Sequence, residues 1–302
     1  MASEKREGGA FSSDASTAGV GAEDASRPRA PRAPGEDSER GDAPGSRISA
    51  AFGKGRPALI TYVMAGYPDR ATSLEALRAA ARGGADVIEL GVPYGDPLAD
   101  GPVIAEAAAV ARAGEGGFGL IHAIQVAEAF IRDPGVDHAP PVVVMTYMNP
   151  VMRLGLKGTA ERMRAAGVVG VIIPDMPPEA ASPWRQVSAG IDTVFLTAPT
   201  STDDRLAIVA AASTAFIYCV SAIGTTGERE SLAAGLADQV ARVRRHTALP
   251  VAVGFGVSNP AHAAQVAAIA DGVIVGSAIV KRQADPRQVE TFVRELAAAV
   301  RG

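Results

Sequence analysis

Short β-branched runs alternate with Ala-rich helical segments along residues 48–302, and the runs read as continuously apolar rather than as an in-out alternation. These two features predict an α/β chain with a parallel sheet buried on both faces. The count of eight strand–helix units, in roughly 250 residues, matches a (β/α)8 TIM barrel. An open doubly wound sheet would carry a glycine fingerprint after its first strand. The first strand here leads into Ala65-Gly-Tyr-Pro68, which lacks that fingerprint.

Taken in order, residues 1–47 are a different polymer, whose only large apolar residues are Met1, Phe11 and Val20. Such a composition cannot bury enough surface to offset its ordering entropy, so a disordered N-terminal extension is expected, followed by a barrel domain over 48–302. The extension lacks the apolar centre of a signal peptide, and its many acids argue against a transit peptide. A dispensable tail fits it, as does a start codon placed too far upstream. Strands are expected over 58–64, 86–91, 141–147, 168–173, 193–197, 216–220, 251–255 and 272–275. Helices are expected over 72–83, 117–132, 156–166, 183–189, 203–212, 237–246, 260–269 and 286–300. Asn259-Pro260 and the segment 201–204 look like capped helix starts.

Composition narrows the function. The formal net charge is −4 and the signs are mixed along the chain, so no basic patch invites nucleic acid. The single cysteine, Cys219, precludes a disulfide framework and points to a reducing, cytoplasmic compartment. It lies in an apolar run and reads as an inert buried thiol. No apolar stretch reaches the roughly 18 residues of a membrane span.

Glu89 interrupts the apolar run of the second strand. A carboxyl there is costly unless it is paired or used. Period-two alternation puts Val87, Glu89 and Gly91 on one face and Asp86, Ile88 and Leu90 on the other. If the first face points inward, Glu89 stands near the top of the barrel, where active sites of this fold lie. Desolvation would raise its pKa, as suits a group that both gives and takes protons. A structural ion pair is the competing reading. Asp96 and Asp100 follow on a proline-rich loop; Asp96 reads as turn chemistry and Asp100 equally as a helix cap.

Glycines follow each of the last three strands, in Gly224-Thr-Thr-Gly227, Gly254-Phe-Gly256 and Gly276-Ser277. Backbone N–H groups of such loops can point at phosphate oxygens, and barrels often hold phosphate after strands seven and eight. A short helix over 277–280 would add its dipole and the Ser277 hydroxyl. The alternative is that glycines merely end strands. His122, His138, His246 and His262 fall on helices or a helix-side loop and read as exposed, so no metal constellation emerges. Lys54, Lys157 and Lys281 are not at strand ends, which leaves no Schiff-base lysine. Carboxylate acid–base chemistry on a phosphorylated substrate remains.

The stretch Glu89-Leu-Gly-Val-Pro-Tyr-Gly-Asp-Pro-Leu-Ala-Asp-Gly-Pro102 resembles the signature of the tryptophan synthase alpha chain family. Matches continue through Tyr62-Val-Met-Ala-Gly-Tyr-Pro68, Met145-Thr-Tyr-Met-Asn-Pro150, Pro174-Asp-Met-Pro177, Tyr218 with Ser221, Gly224-Thr-Thr-Gly227, Gly254-Phe-Gly-Val-Ser258 and Gly276-Ser-Ala-Ile-Val280. The resemblance implies a lyase that cleaves indole-3-glycerol phosphate to indole and glyceraldehyde 3-phosphate by a retro-aldol reaction. It implies that Glu89 transfers the protons, that Asp100 accepts a hydrogen bond from the indole N–H, and that Tyr218 orients the substrate. Tyr62, Met145, Ile172 and Phe255 would form the apolar surroundings, and Gly227, Gly256, Gly276 and Ser277 would hold phosphate.

By the same resemblance, 222–236 is a mobile lid whose Thr226 meets Asp100 on closure. Asp96, Pro97 and Asn149 match the interface with a pyridoxal-phosphate-dependent beta chain in an αββα assembly; this chain itself would carry no cofactor. Gly95 replaces the usual serine and Thr225 the commoner valine. A sugar-phosphate epimerase or an indole-glycerol-phosphate synthase would need strand-end histidines or a catalytic lysine. A stand-alone indole-releasing lyase and a non-catalytic activator of a beta chain remain as alternatives.

Overall fold

The computed structural model describes residues 45–96, 100–114, 117–221, 229–254 and 256–302, with backbone alone for 45–46 and 229–234. The tail expected over 1–47 therefore lies, up to residue 44, outside the described residues.

Among the described residues nine parallel strands form one sheet: β1 (Ala58–Met64), β2 (Val87–Gly91), β3 (Val142–Met145), β4 (Gly170–Ile172), β5 (Asp192–Val194), β6 (Leu196–Thr197), β7 (Ile217–Val220), β8 (Val251–Gly254) and β9 (Gly272–Val275). Their order is β5-β4-β3-β2-β1-β9-β8-β7-β6. The two ends of that list are consecutive in the chain, joined by Phe195 alone, so the sheet wraps round on itself as a TIM barrel. The fifth expected strand is thus split. Its first half pairs with β4 and its second with β7. At the break the Phe195 N–H donates to Ser213 Oγ, and its carbonyl accepts from the Tyr218 N–H.

Two packed clusters show which way each strand residue faces. Ile60, Tyr62, Met64, Val87, Val143, Met145, Ile172, Phe216, Tyr218, Ala252 and Ile274 pack together inside the barrel. Leu59, Val63, Ile88, Leu90, Val144, Val171, Ile217, Cys219, Val253 and Val273 pack outward against the helices. The alternation is the period-two geometry of a strand.

The helices are α1 (Gly45–Phe52), α2 (Arg70–Gly83), α3 (Pro102–Ala113), α4 (Leu120–Ile131), α5 (Met148–Leu154), α6 (Leu156–Ala166), α7 (Ser182–Val187), α8 (Asp203–Ala212), α9 (Arg229–Arg244), α10 (Pro260–Ala267), α11 (Ser277–Val280) and α12 (Pro286–Arg301). The expected caps are in place: Thr202 accepts from the Arg205 N–H and Asn259 from the His262 N–H. Small residues let helices come close. At Gly83 of α2 a side chain would reach to 2.7 Å from Val293 Cβ on α12.

Helix α1 has no counterpart in the sequence reading, which started the folded chain at Ile48. Its Ile48, Ala51 and Phe52 join the inner cluster. Ile48 lies against Gly170 and Phe52 against Gly272, the first residues of β4 and β9, and Phe52 meets Phe216 with centroids 5.4 Å apart. The helix plugs the N-terminal mouth of the barrel, in space that two glycines leave open. Asp86 anchors the same end, taking both nitrogens of Arg56 at 2.8 Å, Lys54 at 2.9 Å and the Leu59 N–H at 3.0 Å. Burial pushes its carboxyl up, but these bonds hold it down at about 2.

Candidate active site

Glu89 lies on β2 between Tyr62 of β1 and Val143 of β3 in the strand register. Its neighbours Ile88 and Leu90 face the helices, so its own side chain faces the barrel interior. It is only 1% exposed, and its Oε2 is buried with no hydrogen-bond partner among the described residues. A structural ion pair would have satisfied that oxygen. Burial, and then the nearby charge of Asp100, push the Glu89 carboxyl up to about 8.

Asp100 lies just ahead of α3 but does not cap it. Gly101 takes the N-cap position, with no side-chain bond. Instead Asp100 Oδ2 accepts from the Tyr147 hydroxyl at 3.3 Å. Burial raises the Asp100 carboxyl to about 6, and the Tyr147 bond works against that rise. At neutral pH, then, Glu89 retains its proton while Asp100 is largely ionised. Pairs of carboxyls whose environments push their proton affinities apart are suited to divide acid and anion roles between them.

Tyr62 and Tyr218 stand on the inner face beside this pair. Burial raises both phenols well above their ordinary range, and the charges of Asp100 and Glu89 add to it. Both therefore stay protonated and can donate hydrogen bonds. Met145 and Ile172 belong to the same inner cluster and supply apolar wall.

Gly256 has a positive φ of 81° and is exposed after β8. Gly276 is the N-cap of α11, packed near Tyr62 and Ile104, and Ser277 opens that helix with its side chain exposed. The short helix expected over 277–280 is therefore present. Gln283, fully buried, ties the far end of this segment to β1. Its Oε1 accepts from the Met64 N–H, and its Nε2 donates to the carbonyls of Met64 and Tyr67. Sequence reading missed Gln283, since nothing local marks a glutamine whose partners lie 219 residues away.

Thr226, Gly227, Phe255 and Pro97 lie outside the described residues. So does the part of the expected lid over 222–228; from Arg229 the chain is helical, so the lid's second half is the start of α9. Asp96 is exposed. Asn149 is exposed too, within α5, and donates to the Tyr94 hydroxyl at 3.3 Å. The expectation that all four histidines are exposed needs correction: only His138 is, while His122, His246 and His262 are half-buried against their own helices or adjoining turns. His122 accepts from the Gly119 N–H, and His262 pairs with Ser258. Cys219 is buried and its thiol is pushed up to about 11 by burial. Among the described residues no group of three or more His, Cys, Asp or Glu could hold a metal ion.

A barrel with one protonated and one ionised carboxyl near the C-terminal ends of its strands is an acid–base barrel enzyme in class. A family model described as tryptophan synthase alpha chain matches residues 48–301. A relative named tryptophan synthase alpha chain from Thermobifida fusca is 44% identical over 267 residues, covering 84% of this chain and 96% of its own. Its counterpart from Streptomyces coelicolor is 42% identical over 266 residues, covering 84% and 95%. A solved structure of Mycobacterium tuberculosis tryptophan synthase superposes with TM-score 0.76 at 40% identity, covering 86% of this chain and 98% of that one. A tryptophan synthase complex from Pyrococcus furiosus superposes with TM-score 0.70 at 34% identity, covering 80% and 98%. The chain belongs to the tryptophan synthase alpha chain family.

Proposed function

We propose that this chain cleaves indole-3-glycerol phosphate to indole and D-glyceraldehyde 3-phosphate, as the alpha subunit of an αββα tryptophan synthase. One observation carries the reading: the Glu89 carboxyl is buried, its Oε2 has no hydrogen-bond partner among the described residues, and burial and the nearby Asp100 push it up to about 8. Cleavage needs a proton delivered to indole C3 and another removed from the hydroxyl on the departing glycerol carbon. A protonated Glu89 gives the first, becomes a carboxylate, and takes the second as the carbon–carbon bond breaks. The electron pair of that bond restores the indole ring, and Glu89 ends as it began. One carboxyl thus serves both transfers, and the reaction needs no cofactor on this chain.

Protonation at C3 places positive charge on the indole nitrogen. Asp100 accepts the N–H hydrogen bond and stabilises that charge, which is electrostatic catalysis by a fixed anion. Tyr218 orients the substrate by its hydroxyl, between the apolar walls of Tyr62, Met145, Ile172 and Phe255. Gly227, Gly256, Gly276 and Ser277 hold the phosphate through backbone N–H groups, and Thr226 meets Asp100 when the lid closes. Asp96, Pro97 and Asn149 meet the beta chain, which carries the pyridoxal phosphate and consumes the indole. Residence in the cytoplasm goes with a biosynthetic enzyme of this family; among the described residues no helix is long and apolar enough to cross a membrane.

The test is indole release from indole-3-glycerol phosphate, measured with and without a tryptophan synthase beta chain. Release that rises when the beta chain is added is the expected result. Equal rates would make this a stand-alone lyase, and no release in either case would leave only an activating subunit.

A further inference from the structure

Tyr147 follows β3 at the N-cap position of α5, where its side chain makes no capping bond. It is 2% exposed, and its hydroxyl donates to Asp100 Oδ2 across 47 residues of sequence. Its ring stacks on Tyr94, with centroids 4.7 Å apart and planes 23° apart. Tyr94 in turn accepts from Asn149 Nδ2 at the surface. The stack fixes the plane of the Tyr147 ring, and with it the line along which the hydroxyl meets the carboxylate.

We infer that Tyr147, braced by Tyr94, is a positioning residue that aims the Asp100 carboxylate and sets how readily it gives up its proton. The inference rests on the reading of Asp100 as the acceptor for the indole N–H. At 3.3 Å the bond is longer than an ordinary O–H···O contact. Hydrogen bonds of catalytic groups are often long before substrate arrives and tighten in the complex. Among the described residues, the other ionisable groups whose charge couples to Asp100 are Glu89 on β2, Tyr62 on β1 and Tyr218 on β7. None of them lowers the Asp100 proton affinity; burial raises it and the Tyr147 bond opposes the rise. Asp100 reaches its ionised form near neutral pH with the help of this phenol.

The experiment uses the full chain. A carbon-13 NMR titration of the aspartate carboxyls, with Asp100 assigned by its loss in Asp100→Asn, reads the midpoint directly and does not depend on turnover. Tyr147→Phe keeps the stack and removes the hydroxyl, and should move the Asp100 midpoint up by about one pH unit, the size of one lost bond to a charged group. Tyr94→Ala, which frees the ring, should give part of that shift, and Tyr94→Phe none. With a beta chain present, the acid limb of kcat/KM for indole release should move up by the same amount in Tyr147→Phe, so that the loss shrinks as pH rises. An unmoved midpoint in Tyr147→Phe overturns the inference, as does an activity loss equal at every pH with a lowered melting temperature. If the unaltered chain released no indole, the lyase reading would fall, while the titration would still decide the role of Tyr147.

Discussion

Gly91 lies so close to the ring of Tyr62 that a Cβ at that position would overlap the phenol hydroxyl. The same relation recurs across the barrel, where a Cβ on Gly254 would come within 2.5 Å of the Tyr218 hydroxyl. In each case the tyrosine pairs in register with the residue two before the glycine on the neighbouring strand. Each ring thus leans towards the strand C-termini and fills the space the glycine leaves. Gly91→Ala should displace Tyr62 and lower stability by about 1–3 kcal/mol, the usual range for overpacking. It should also cut kcat/KM for indole release at least tenfold. Urea unfolding together with the indole assay checks both, and wild-type values in both would refute the packing argument.

Glu89→Gln keeps the shape of the side chain but can neither give nor take the proton. Indole release should fall by about 10²–10⁴-fold, the range for general acid–base catalysis. Substrate affinity should stay within a few fold by calorimetry. Turnover near that of the unaltered chain would remove Glu89 from the chemistry.

The same substitution should stabilise the fold, and more so at high pH. A carboxyl whose folded pKa is raised from 4.5 to about 8 binds its proton more tightly folded than unfolded. Its stabilising contribution is complete below about pH 4.5 and is lost as pH rises through about 8. Glutamine has no such dependence. The unfolding free energy of Glu89→Gln should therefore match that of the unaltered chain at pH 4 and exceed it increasingly up to pH 8, by an amount on the order of a few kcal/mol. A constant difference between the two melting curves across that range would show that Glu89 is not protonated in the fold.

Asp100→Asn removes the fixed anion and leaves Glu89 without the neighbouring charge that helps raise its pKa. Indole release should drop by about 10²–10³-fold, as when one stabilising group is removed from a preorganised site. The alkaline limb of the residual pH profile should also move down. Full activity, or an unmoved alkaline limb, would count against the coupling of the two carboxyls.

The plug gives a test unrelated to turnover. Ile48 is fully buried against Gly170. Ile48→Ala should cost about 2–5 kcal/mol. A chain starting at Gly53 should melt well below one starting at Gly45, and the latter should melt with the full chain. Equal melting of all three would mean that α1 contributes nothing to the barrel.

Much of the fold was legible because each barrel element is written locally. Apolar runs such as that of β8 and capped starts such as Asn259-Pro260 need only a few residues to declare themselves. Glu89 was legible for the same reason, as a carboxyl inside an apolar strand. What escaped was nonlocal. Helix α1 was not read as a helix, because its Ile48 and Phe52 have meaning only against Gly170 and Gly272. The split at Phe195 follows from a change of pairing partner, from β4 to β7, which no single strand encodes.

Asp100 shows where the boundary falls. By itself the sequence determined the alternating pattern, the face that Glu89 shares with Val87 and Gly91, and the glycines at the strand ends, since these depend on period, composition and chain order. It left Asp100 open between a helix cap and a chemical role. Tertiary structure removed the cap from that choice by bringing Tyr147 to the Asp100 carboxylate and leaving the N-cap position to Gly101. Proton affinity depends on what surrounds a group in space, and the surroundings of Asp100 come from β1, β2, β3 and β7, which only the closed barrel brings together.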